Sequence, residues 1–185
     1  HSDHARPGHG AVMATRETLD IMAIRYGEDF THSRQPATGP IRIGDVTVNF
    51  HPAGHVLGSA QIAVESPTQR IVVSGDYARI PTPICAPFEP VRCHHFITEA
   101  TFGLPIYRWP SPDDVFAEIN NWWRRNRDRG KATVIFAYSL GKAQRILAGI
   151  DASIGPIFTH GAVERLTQAY RDSDGFSIFD HARAR

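Results

Sequence analysis

Cysteine is scarce in this sequence. There are 2, Cys85 and Cys93, too far apart for a C-x-x-C clip and too few for a disulfide framework. That excludes a cystine-stapled secreted module and favours a reducing, cytoplasmic setting. Long apolar runs are also missing: none approaches the ~20 residues that a membrane span needs, and no signal peptide opens the chain, so no membrane partner is expected. Charge of one sign is not in excess either. With 20 Lys and Arg against 19 Asp and Glu, the formal net charge is +1, which leaves any nucleic-acid binding to a local basic patch. No internal repeat or low-complexity segment stands out. At 42% hydrophobic and 21% charged residues, the 185-residue chain has globular composition, enough for one sizeable domain or for one domain and part of a second.

Histidine is the residue in surplus, with 10 in all. The chain opens on His1-Ser2-Asp3-His4 rather than on Met, and Phe179 to Arg185 close no recognisable element. We read the sequence as an excerpt of something longer.

Along the first hundred residues the pattern predicts one strand and one helix, then a run of sheet. Val12 to Thr15 reads as a strand, with Thr15 as N-cap of a helix whose Leu19, Met22, Ala23 and Tyr26 repeat at helical spacing and whose end is marked by Gly27. Thr31 to Pro40 reads as a polar loop. Ile41–Ile43 and Val46–Phe50 flank Gly44-Asp45 as a hairpin, and Gln61–Glu65, Arg70–Ser74 and Phe96–Thr98 read as further strands. After Gly103 the style changes. A helix over Ser111–Arg129 presents Val115, Phe116, Ile119, Trp122 and Trp123 on one face. Strand Ala132–Tyr138, helix Lys142–Ile150, strand Ile157–Thr159 and a helix from about Ala162 to Tyr170 follow, an alternation that implies a parallel sheet. The expected domains are therefore 1–103 and 104–185.

Three segments carry the chemistry. His1-Ser2-Asp3-His4 packs two imidazoles and a carboxylate into four residues; His51-Pro-Ala-Gly-His55 puts a histidine after a glycine between strands; Ser74-Gly75-Asp76 puts a carboxylate at the end of an apolar strand. Neutral imidazole and carboxylate suit zinc, and also manganese or iron. An Asp there can reach two ions at once, and two ions about 3.5–4 Å apart can activate a water and stabilise the leaving oxygen of a phosphodiester. Each segment alone has a plainer reading: polar residues at the surface for His-x-x-His, a strand cap for His55, a turn for Gly-Asp. Their order and spacing favour the metal.

The three segments resemble the metal motifs of the metallo-β-lactamase superfamily. His1-Ser2-Asp3-His4 is similar to the last four positions of its His-x-His-x-Asp-His motif, and Ser-Gly-Asp76-Tyr77 to its bridging-carboxylate motif. His-Pro-Ala-Gly-His55-Val-Leu-Gly-Ser-Ala-Gln61 is similar to the third-motif loop of the β-CASP nucleases. Thr98-Glu99-Ala-Thr-Phe-Gly103 resembles the acidic motif that opens the β-CASP insert, and Phe136-Ala-Tyr-Ser-Leu-Gly-Lys-Ala-Gln144 a strand-to-helix turn inside it. Further stretches, among them Phe102-Gly-Leu-Pro-Ile-Tyr-Arg-Trp-Pro110, look closest to the bacterial ligase-associated DNA exonucleases.

The resemblance implies an α/β fold: part of a metallo-β-lactamase αββα core (1–103), followed by part of an inserted β-CASP α/β domain (104–185). It implies two divalent ions, zinc or else manganese, with His1 and His55 at site one, Asp3 and His4 at site two, and Asp76 bridging. Glu99 would support a leaving-group histidine that lies past Arg185, and the first motif histidine would precede His1. Both sites are then one ligand short, so this chain as written is expected to bind metal weakly and cut poorly. The implied activity is phosphodiester hydrolysis on DNA, by an exonuclease connected with a DNA ligase system. The alternatives are an RNA-processing β-CASP ribonuclease and, from another class, a β-CASP subunit that binds nucleic acid without cutting it. The resemblance stops near Asp172.

Other clusters carry less. Cys93-His94-His95 runs into a strand, where neighbours face opposite ways, and His9 reads as support for the metal motif rather than as a ligand. Trp122 and Trp123 read as core, and Arg124, Arg125, Arg127, Arg129 and Lys131 as a solvated face. Ser139-Leu-Gly141-Lys142 joins a strand to a helix N-terminus, a setting that favours phosphate, so Lys142 and Arg145 are candidate nucleic-acid contacts. His160 reads as structural.

Overall fold

Thr15 caps the first helix with its own side chain, Oγ1 accepting from Thr18 N at 3.3 Å, and Gly27 ends it by donating its N–H to Ala23 O at 2.9 Å. In the computed structural model, which describes residues 1–173, this helix is α1 (Arg16–Tyr26). The stretch from Phe179 to Arg185 lies outside the described residues. The chain divides into two compact units, the first His1–Glu99 and the second from Ala100 onward.

In the first unit, α1 connects β1 (His9–Ala14) to β2 (Thr31–Pro36), which pair in parallel from His9↔Thr31 to Ala14↔Pro36. The loop expected over Thr31–Pro40 is therefore a strand for most of its length. Its composition is poor in the β-branched and aromatic residues that mark strands, but pairing with β1 supplies the ladder that local propensity does not. Leu19 and Met22 of α1 pack with Ala14 and Phe30 in a small core, with Val12, Ala23 and Tyr26 at its margin. Burial of each large side chain there contributes about 1.5–3 kcal/mol.

The remaining strands form one five-stranded sheet in sequential order: β3 (Ile41–Ile43), β4 (Val46–Pro52), β5 (Ala60–Glu65), β6 (Arg70–Val73) and β7 (His95–Ile97). β3 to β6 are antiparallel, and the two-residue Gly44-Asp45 turn pairs Ile43 with Val46. β7 runs parallel to β6. From these directions, the C-terminal ends of β4, β6 and β7 lie at one end of the sheet. The loops bearing His55, Asp76 and Glu99 all leave from that end.

The second unit is helical among the described residues. α2 (Pro112–Asp128) starts at Ser111, whose Oγ accepts from Asp114 N at 3.1 Å; α3 (Lys142–Gly149) and α4 (Gly161–Asp172) follow. Phe116 of α2 lies against Gly149, and Trp123 lies beside Gly155. Trp122 is 38% exposed, so only one tryptophan of the pair joins the packing expected of both. The strands expected over Ala132–Tyr138 and Ile157–Thr159 are not formed among the described residues. Extended segments become strands only by bonding a neighbour, and Val134, Phe136, Tyr138 and Phe158 instead stand exposed. The parallel sheet read from the β-α-β-α pattern is accordingly absent from the described residues.

Candidate metal centre

Four side chains from three segments meet at that end of the first unit. His1 is the N-cap of a 3₁₀ turn over Ser2–His4, a tight element that brings the His1 and His4 rings to 4.4 Å, centroid to centroid. The His55 ring lies 5.1 Å from that of His1. Asp76 faces all three. Its Oδ2 is 3.2 Å from His1 Nε2 and 3.8 Å from His55 Nε2, and its Oδ1 is 3.5 Å from His4 Nε2. The two carboxylate oxygens thus address different histidines.

The loop that presents His55 is held by its own sequence. Ser59 Oγ accepts from both His55 N and Val56 N at 3.1 Å. Gln61, fully buried, donates from Nε2 to Pro52 O and to Glu89 O. Gly54, at φ +71°, passes so close to the Asp76 segment that a Cβ would come within 2.3 Å of Ala78 O, while Ala78 N bonds Ala53 O at 3.0 Å. Gly58, at φ +72°, sits against the start of α1, where a Cβ would come within 2.7 Å of Thr18 N. Its carbonyl accepts from Thr15 Oγ1 (2.7 Å) and Thr18 Oγ1 (2.9 Å). The two glycines fit His55 between the carboxylate loop and the helix.

Burial holds the His55 pKa below its ordinary value, with the negative charge of Asp76 acting in the opposite sense. Near neutral pH the ring therefore keeps the lone pair that a metal needs. Glu99, two residues past β7, is close enough for its charge to act on His55 as well.

Asp3 behaves differently from the other candidate ligands. Its Oδ1 accepts from Arg25 Nη1 in an ion pair, and its Oδ2 is 3.9 Å from His1 Nδ1. Nothing in the spacing of the sequence marks Arg25 as its partner. His9 opens β1 and is exposed; His94 Nδ1 accepts from Arg70 N at 2.9 Å, and His160 caps α4 by accepting from Ala162 N at 3.1 Å. His51, which the sequence reading passed over, lies 2.9 Å from Glu89 Oε1.

Lys142 and Arg145 lie in the second unit, exposed on α3. Lys142 Nζ stands 4.8 Å from the centre of the Tyr138 ring. The backbone of the turn is already committed: Gly141 N donates to Gln144 Oε1 at 2.7 Å, Lys142 N to Leu140 O and Ala143 N to Tyr138 O. A phosphate there would meet side-chain cations rather than free amides.

A tetrahedral zinc with bonds of about 2.0–2.1 Å sets its donor atoms roughly 3.3 Å apart. The separations of 3.2–3.8 Å between Asp76 and the three histidines are of that order, and one donor atom each from His1, His55 and Asp76 lies within 4.8 Å of the others. The residues present fit a divalent cation.

No family model matches the chain. It is 29% identical over 177 residues to a protein of Opitutus terrae named "Probable DNA ligase", an alignment that covers 92% of this chain and 17% of that protein. It is 26% identical over 172 residues to an "RNase J-like protein" of Methanocaldococcus jannaschii (84% of this chain, 40% of that one), and 28% identical over 120 residues to "Cleavage and polyadenylation specificity factor 73" of Drosophila melanogaster (57% and 17%). All of these relatives fall in one family. The chain is related to the β-CASP group of the metallo-β-lactamase superfamily. Its mixed α/β architecture agrees with a partial fold of that type. The chain spans less than half the length of each of these relatives. Among the described residues, no helix is long and apolar enough to cross a membrane.

Proposed function

We propose that this chain carries most of the metal centre of a β-CASP nuclease that hydrolyses phosphodiester bonds, acting on DNA as an exonuclease linked to a ligase system. The observation that carries this reading is the arrangement at Asp76, whose two oxygens divide three histidines drawn from two other segments. Divalent ions in such a centre activate water and neutralise charge on phosphate oxygens. His1 and His55 would bind on the Oδ2 side of Asp76 and His4 on its Oδ1 side. Burial keeps His55 neutral for that task, and Ser59 fixes the backbone that presents it. Glu99 would act from outside the ligand set through its charge, and Lys142 and Arg145 would meet the phosphate backbone of the substrate.

The relative named as a DNA ligase, aligned over 92% of this chain, favours DNA. A second reading, RNA processing by the same chemistry, is favoured by the RNase J-like relative and by the cleavage and polyadenylation factor. The two differ in whether the groove accepts a 2′-hydroxyl. The protein at its full natural length, supplied with zinc or manganese, should be assayed on matched single-stranded DNA and RNA labelled at either end. We expect DNA to shorten from one end and Asp76→Asn to abolish the activity and the metal content together. Glu99→Gln should slow cleavage with metal content unchanged. Faster cutting of RNA would select the second reading. Binding of either strand without cutting, with zinc content insensitive to Asp76→Asn, would overturn both.

A further inference from the structure

The two tryptophans of α2 part company, and so do its cations. Trp123 lies beside Gly155, whereas Trp122, about 100° further round the helix, stands 38% exposed. Arg124 Nη2 donates to Asp151 Oδ2 at 2.8 Å, and Arg127 donates to Asp128 Oδ1 at 2.8 Å and to Ile154 O at 3.2 Å. Arg125, Arg129 and Lys131 are exposed and form no ion pair among the described residues. Trp122, Arg125 and Arg129 follow at spacings of three and four, so they fall within about 60° around the helix axis and about 10 Å along it. Lys131 N donates to Asn126 O at 2.8 Å, which turns the chain back and keeps Lys131 at that end of the helix. The nearest acid on the face, Glu118, stands one turn before Trp122. Cations near a helix C-terminus offset its dipole, which accounts for basic residues there but not for an exposed tryptophan in line with them.

Resting on the nuclease reading above, we infer that this face of α2 binds single-stranded DNA without taking part in cutting, with Arg125, Arg129 and Lys131 on phosphates and Trp122 against a base. A length of about 10 Å spans roughly three stacked nucleotides of one strand, room for one base and the phosphates that follow it. The free guanidiniums supply the charge complementarity, since they have no carboxylate to give up before they meet a phosphate. An unpaired base offers its face to an indole, whatever its identity, and a duplex hides those faces. The tryptophan therefore selects a single strand, and the cations hold it without regard to sequence.

The test is binding of the zinc-loaded protein, at its full natural length, to a short mixed-sequence single strand of phosphorothioate DNA, which keeps the charge but resists cutting. Affinity is followed by fluorescence anisotropy over a range of salt, with far-UV circular dichroism to check the fold of each variant. Each phosphate contact on a single strand adds about 0.7 to the slope of log affinity against log salt. Arg125→Gln with Arg129→Gln should therefore lower the slope by about 1.4. Arg124→Gln with Arg127→Gln, the same loss of charge on side chains already tied, should leave it nearly unchanged. Trp122→Leu should weaken the single strand about tenfold at every salt concentration with the slope kept, Trp122→Phe should recover much of that loss, and a duplex of the same sequence should respond to neither. A slope unmoved by the Arg125 and Arg129 pair, or moved as far by the Arg124 and Arg127 pair, would overturn this face. Unchanged affinity in Trp122→Leu would overturn the stacked base and with it the choice of a single strand. In either case, zinc-dependent cutting that Asp76→Asn abolishes would leave the nuclease reading standing. Failure of wild type to bind the strand at all would overturn both.

Discussion

The two units meet the same demand, that buried backbone groups be hydrogen-bonded, in different ways. In the first unit the bonds run between segments distant in sequence: β1 with β2 across a helix, β6 with β7 across a long loop, Gly58 O with two threonines of α1. In the second the described bonds are mostly those helices make within themselves, and the apolar stretches between them stand in solvent. A helix carries its partners along its own chain, whereas a strand does not exist without a neighbour. The candidate ligands lie in the unit where tertiary contacts dictate position.

The sharpest way to break this comparison is a methyl group at a point of close approach. Gly54→Ala would force Cβ onto Ala78 O, at a backbone conformation that L residues avoid. We expect a loss of about 2–4 kcal/mol, together with a fall in zinc affinity, measured by urea unfolding and titration. A near-neutral Gly54→Ala would mean that the His55 and Asp76 loops are not locked to each other. The counterpart in the second unit is Gln144, whose side chain bonds Gly141 N, Ser139 O and Thr167 Oγ1 while fully buried. Gln144→Leu leaves those groups unmatched and should cost about 1–3 kcal/mol, read as a lower urea midpoint. Smallest of all should be Phe136→Ser, at a residue 94% exposed, which should change stability by no more than about 0.5 kcal/mol. A larger loss in the full-length protein would show that this segment is a buried strand there, and the contrast between the units would narrow.

The same distinction decides what could be read in advance. The Gly44-Asp45 turn, the Thr15 cap and the end of α1 at Gly27 are local features, and residue type alone marks them. His1, His4, His55 and Asp76 were legible as a set because each sits in a short motif at the end of an element. Asp3 was legible as a candidate, but its tie to Arg25 was not, since that contact joins a turn to the far end of a helix. β2 escaped notice because its residues are polar and its partner is parallel and remote. In Ala132–Tyr138 the apolar pattern is plain, but a pattern cannot supply the neighbour. Ser59 and Gly58 lie inside a motif that was recognised whole, so their separate duties became visible only as distances.

Helix α1 touches the candidate site with both ends. Thr15 and Thr18 hold the His55 loop, and Arg25 and Tyr26 hold the loop of residues 2–5. Its 11 residues make a rod about 16 Å long, so the helix serves as a gauge block between the two ligand-bearing segments. The two ends are coupled in angle as well as in distance. One residue inserted anywhere between Thr18 and Arg25 would turn the far end by about 100° and push it on by about 1.5 Å. Arg25 would then point away from Asp3 while the near end still held Gly58. The outer face of this helix is free to vary in composition, but its residue count is not.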